Sequence, residues 1–218
     1  MSAARDEILA RVRGALKDVP ASEPSDASGL ARDYRRVGEL SHEERVALFV
    51  ERCADYRADV RRVGAGELPA AIAQALSARG VRRLAIPTGL LPDWRVDGFD
   101  WVEDDALTHD QLSEVDGVVT GCAVAIAING AIVLDCGAEQ GRRALTLLPD
   151  YHLCVVREEQ VVELMPEGID RLAVAARAGQ PMTIVAGPSA TSDIEFNRVE
   201  GVHGPRTLDV LVVAAAPA

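Results

Sequence analysis

The order Val60-Arg61-Arg62-Val63, then Pro69 to Gly80, then Val81-Arg82-Arg83-Leu84-Ala85-Ile86 decides the fold. Pro69 suits the first turn of a helix, where its missing N–H is no loss. Ile72, Ala73 and Leu76 share one helical face, and Gly80 supplies a left-handed stop. The flanking runs read as a short strand and a buried strand. A strand, a helix and a second strand in this order are the signature of a parallel sheet covered by helices.

Working outward, Ser41-His42-Glu43-Glu44 forms a capping box, and Val46, Phe49, Val50 and Cys53 follow at helical spacing. A helix over residues 4–17 places Ile8, Leu9, Val12 and Leu16 on one face. Between these helices, Asp18 to Glu39 is rich in Pro, Ser and Gly and reads as a flexible linker. Residues 1–40 are therefore expected to be a helix and linker, and 41–218 a single α/β domain. Toward the C-terminus, Val124 to Ile128 and Ala131 to Leu134 flank Asn129-Gly130, a pair suited to a type I′ hairpin turn. His152 to Val156, Met182 to Ala186 and Leu208 to Ala214 read as strands, and Ile169 to Ala178 as a helix. The expected architecture is α/β, a mostly parallel mixed sheet flanked by helices.

The 218 residues allow one core of ordinary size, with 48% hydrophobic and 26% charged residues. A formal net charge of −11, with arginines dispersed among carboxylates, argues against a nucleic-acid partner. The acidic start Met1 to Glu7 lacks the pattern of a signal peptide, and no run approaches the ~18 apolar residues of a membrane span. A cytoplasmic protein without membrane insertion is expected. Cys53, Cys122, Cys136 and Cys154 are widely spaced, with no His at zinc-ligand spacing, so no metal site, iron–sulfur cluster or other cofactor is expected. Cys122, in the Gly-containing turn after Thr120, is the one candidate for a reactive thiol.

Chemistry concentrates between Gly187 and Arg206. Gly187-Pro188-Ser189 follows a strand, and Thr191, Ser192, Asp193 and Glu195 begin the next element. Such a loop, at the carboxyl end of a sheet strand, is where α/β sheets take ligands. Ser192 to Glu195 also fits a helix-capping box, and both readings stand. Asp193 and Glu195 suit hydroxyl recognition or proton transfer, His203 can shuttle protons near neutrality, and Arg206 can clamp a carboxylate. Asp193, Glu195 and His203 are thus the catalytic candidates. Gly187, Ser189, Thr191, Ser192, Gly204 and Arg206 are the ligand-binding ones, facing a small anionic metabolite.

The run Gly187 to Glu195 followed by Gly201-Val202-His203-Gly204-Pro205 closely resembles the C-terminal signature of the lactate utilization protein C family, the LUD domain. Thr120 to Leu134 and Leu147-Leu148-Pro149-Asp150-Tyr151-His152 resemble its middle region, so the likeness spans roughly residues 40 to 215. Where relatives read Glu-Thr-Gly-Thr, this chain has Ile128-Asn129-Gly130-Ala131. The retained Gly130 joins the ligand-binding candidates. The resemblance implies a fold like that of the sugar-phosphate isomerase, CoA-transferase and formyltetrahydrofolate cyclo-ligase group. It also implies a role in oxidising L-lactate to pyruvate beside iron–sulfur partner proteins. A non-redox ligand-binding subunit, in which homo-oligomers are compatible, is one expectation. A free-standing enzyme on a small carboxylate, phosphate or nucleotide-type ligand, using Asp193 or Glu195 with His203, is the other.

Overall fold

The computed structural model describes residues 3–18, 29–31, 33–191, 199–201 and 203–214, with backbone alone at 190, 191, 199 and 200. The elements in chain order are α1 (Ala3–Ala15), α2 (His42–Asp55), β1 (Asp59–Val63), α3 (Leu68–Arg79), β2 (Arg83–Ile86), β3 (Asp100–Glu103), α4 (His109–Ser113), β4 (Gly117–Thr120), β5 (Val124–Ile126), β6 (Ala131–Leu134), β7 (Tyr151–Arg157), β8 (Val161–Val162), α5 (Met165–Arg177), β9 (Thr183–Val185), β10 (Ala190–Thr191), β11 (Val199–Glu200) and β12 (Thr207–Val213). The chain divides into two compact units, Met1–Arg35 and Arg36–Ala218. In the first, α1 leaves Ile8 and Val12 exposed, as is Leu16 just past its end. Half of the stretch expected to be a linker, residues 19–28 and 32, lies outside the described residues.

The second unit is α/β. Six strands pair in the order β1-β12-β7-β4-β2-β3, every neighbour parallel. Side chains of β12 alternate between two layers. Leu208, Val210 and Val212 face α2, where Val46 and Phe49 are fully buried. Leu211 and Val213 face α3, against Ile72 and Leu76. A strand covered on both faces needs apolar residues at successive positions, which is why β7 and β12 read as nearly unbroken apolar runs. The capping box at Ser41 forms as expected, with Ser41 Oγ accepting from the Glu44 N–H and Glu44 accepting from the Ser41 N–H. Gly80 ends α3 in the left-handed region at φ 68°.

β1 and β2 share one parallel sheet, as the strand–helix–strand order implies, with β12, β7 and β4 between them. Two details depart from the sequence reading. The antiparallel strands do not extend that sheet. With β8, which pairs parallel to β5, they form a separate four-stranded mixed sheet, β8-β5-β6-β9, whose inner face packs with α2. The turn at Asn129-Gly130 is longer than a two-residue type I′ turn: Ile126 pairs with Ala131 across a 3₁₀ turn, Ala127–Asn129, and Gly130 alone takes a positive φ of 58°. Periodicity distinguishes a strand from a helix, but sheet membership is set by contacts distant in sequence.

Candidate functional site

The C-terminal motifs meet at Ser189. Its N–H donates to the Pro205 carbonyl at 2.8 Å, its carbonyl accepts from the Gly201 N–H at 2.8 Å, and its Oγ accepts from the His203 N–H at 3.0 Å. Beyond it, β10 and β11 pair antiparallel, Ala190 with Glu200 and Thr191 with Val199. Gly187 sits at φ 77°, and a Cβ there would stand 2.5 Å from the Tyr56 carbonyl oxygen. Only glycine allows the chain to pass that close to the end of α2.

This arrangement walls a cavity of about 350 Å³. Gly187, Ser189, His203 and Gly204 line it, together with Arg143, Thr146, His152, Ile184 and Leu208. The flanking strands belong to different sheets: β9 is an edge of the four-stranded mixed sheet, and β12 is inside the parallel one. The cavity therefore lies at the seam between the sheets and at the amino ends of β7 and β12. The loop leaves the carboxyl end of β9, as the sequence led one to expect, but the strand that follows it in the cavity wall, β12, belongs to the other sheet.

Arg206 does not line the cavity. It is 62% exposed and lies 3.6 Å from the Asp150 carboxylate. Gly130 is elsewhere, packed against the backbone of Arg52 and Cys53 in α2. Thr191 is placed by its backbone in β10, whereas Ser192, Asp193 and Glu195 lie outside the described residues.

Two side chains that the sequence reading had not assigned to the site now enter it. Arg143 is exposed at the cavity wall, and among the described residues no carboxylate pairs with it. His152 is 1% exposed, with Nε2 2.8 Å from Thr120 Oγ1. Burial lowers its pKa to about 4, so the imidazole is neutral at physiological pH. The signal for His152 was a polar residue at the start of an apolar strand, inside a segment that carried the family resemblance. Arg143, one of many dispersed arginines, gave no such signal. The Cys122 thiol is buried, and its hydrogen bond with Cys154 and its desolvation both raise its pKa, which opposes a nucleophilic role.

Comparison with known proteins places these residues in context. The LUD domain family profile matches residues 47–213. This chain belongs to the LUD domain family. Lactate utilization protein C of Deinococcus radiodurans is 50% identical over 175 residues, covering 80% of this chain and 82% of the relative. Lactate utilization protein C of Halalkalibacterium halodurans is 29% identical over 194 residues, covering 83% and 84%. Among solved structures, a DUF162 family protein from Deinococcus radiodurans superposes with a TM-score of 0.72 at 45% identity. That match covers 80% of this chain and 99% of the other. The LUD domain match contains both walls of the cavity, from Arg143 and His152 to His203 and Leu208. No helix among the described residues is long and apolar enough to cross a membrane.

Proposed function

We propose that this LUD domain protein serves L-lactate utilization in the cytoplasm as a non-redox subunit that binds a small hydroxy- or oxo-carboxylate in the Ser189 cavity. Iron–sulfur partner proteins would carry the electrons. The observation that carries the reading is the cavity itself. It combines a guanidinium with no carboxylate partner among the described residues, a neutral imidazole, and the backbone of Gly187 to Ser189. Arg143 supplies the charge complement for a carboxylate, and apolar Ile184, Leu147 and Leu208 accommodate a methyl group. The names of the relatives support lactate utilization as the setting.

Isothermal titration with L-lactate and pyruvate tests the reading. Arg143→Ala should weaken binding about tenfold or more, the scale of a lost charge-assisted hydrogen bond, whereas Arg206→Ala should leave it unchanged. Binding indifferent to Arg143, or none at millimolar ligand, would overturn it. Asp193, Glu195 and His203 remain the proposed proton-transfer groups of the alternative, a free-standing enzyme. Turnover of a small carboxylate by the purified chain alone, lost in Glu195→Gln, would favour that alternative.

A further inference from the structure

The chain reverses direction within the parallel sheet. From β2 it steps outward to β3, and from β4 it proceeds the other way, to β7 and then β12. Loops leaving the carboxyl ends on either side of such a reversal diverge, and open α/β sheets take ligands in the crevice between them. Here those loops close on residues 137–141, and at Gly89 the clearance, set by backbone, is one that only glycine permits. A Cβ on Gly121 would stand 2.7 Å from Glu139 Oε2, and one on Gly89 would stand 2.5 Å from the Ala138 carbonyl oxygen.

Beside this closure is an open cavity of about 210 Å³, lined by Ala65, Leu68, Leu91, Trp94, Arg157 and Val213 among others. Arg157 Nη2 donates to Glu139 Oε1 at 2.6 Å, and its guanidinium carbon lies 5.4 Å from the centroid of the Trp94 ring, which is 4% exposed. The ion pair and the indole face hold the guanidinium in place before any ligand arrives. Its other N–H groups have no partner among the described residues.

A fixed guanidinium with free donors takes a carboxylate or a phosphate. Glu139 already offsets the Arg157 charge and Glu159 stands on the cavity wall, so a dianion is repelled and a single carboxylate is held by the directed N–H donors rather than by net charge. Leu68, Leu91 and Val213 offer apolar surface for a hydrocarbon body. We propose that this cavity is a second ligand site, in which Arg157 binds a small organic monocarboxylate. The seven residues of β7 separate it from the Ser189 cavity by about 20 Å, so it is independent of the function proposed for that cavity.

Trp94 provides the readout. In the full chain carrying Trp101→Phe, Trp94 is the sole indole, and titration with butyrate should give a saturable change in its fluorescence. Inorganic phosphate should give none. Ala65→Leu narrows the cavity from an exposed turn without touching Arg157, Glu139 or Trp94, and it should weaken binding by about tenfold or more. Arg157→Lys keeps the charge opposite Glu139 but loses the planar fork, and should do the same. Arg143→Ala should leave the titration unchanged. The proposal is overturned if butyrate at millimolar concentration gives no saturable change, if phosphate matches it, or if Ala65→Leu and Arg157→Lys both titrate like the parent.

Discussion

His152 is enclosed where β7 begins, and its neutral state links stability to pH. The folded-state pKa is near 4, against 6.5 for an unperturbed imidazole. Between these values the unfolded chain binds a proton that the folded chain does not, so stability is complete above pH 6.5 and is lost as pH falls toward 4. From pH 6.5 to 5 the loss should be on the order of 2 kcal/mol. Urea unfolding at several pH values measures it. His152→Gln retains a group able to hydrogen-bond Thr120 but cannot titrate, so its stability should fall less over the same range; an equal fall would assign the effect to other groups. The Ser189 motif was visible in the sequence because Gly, Pro, Ser and His cluster there against an apolar background. Arg206 was misleading for the same reason: adjacency in sequence says nothing about direction, and the side chain turns toward Asp150.

At the scale of elements, the β5–β6 hairpin shows how a correct local reading can acquire a different cause. Gly130 was expected from turn chemistry and, through the family resemblance, as a ligand-binding position. In the structure its positive φ coincides with a close approach to α2, where an added Cβ would lie 2.7 Å from the Arg52 carbonyl carbon and 2.8 Å from the Cys53 nitrogen. Backbone cannot yield as a flexible side chain can. Gly130→Ala should therefore cost about 2–4 kcal/mol, beyond the penalty of the dihedral alone. A drop in thermal midpoint without altered ligand affinity is the expected result, whereas lost affinity at full stability would return Gly130 to a binding role. On β12, the 2% exposed Asp209 accepts hydrogen bonds from Arg79 of α3 and, at 2.9 Å, from the Tyr151 hydroxyl. Arg79→Met would leave that carboxylate with the hydroxyl alone and should destabilise the chain by about 3 kcal/mol in urea unfolding, the bottom of the range for a broken buried pair because Arg79 is itself partly exposed. The strands and helices were legible from their periods. The pairing of Asp209 with Arg79, 130 residues apart, was not.

In the whole second unit, the Ser189 cavity has one wall from each sheet: Thr183 to Val185 on β9, and His152 and Leu208 on β7 and β12. A ligand held there contacts both sheets at once, so its binding energy adds to the stability of their junction rather than of one strand. By mass action, a ligand at one hundred times its dissociation constant stabilises the folded state by about 2.7 kcal/mol. For a chain of this length that corresponds to a rise in thermal midpoint of about 5–10 °C. L-lactate or pyruvate at such excess should produce this rise, and Arg143→Ala should require a proportionately higher concentration for the same shift. Amide hydrogen exchange locates the effect. Protection should increase at 183–189 and at the start of β12, on opposite sides of the seam. If the midpoint rises while exchange slows only near Trp94 and Arg157, the stabilising ligand occupies the cavity at the carboxyl edge instead, and the carboxylate site assigned to Ser189 is displaced to the other end of the sheet.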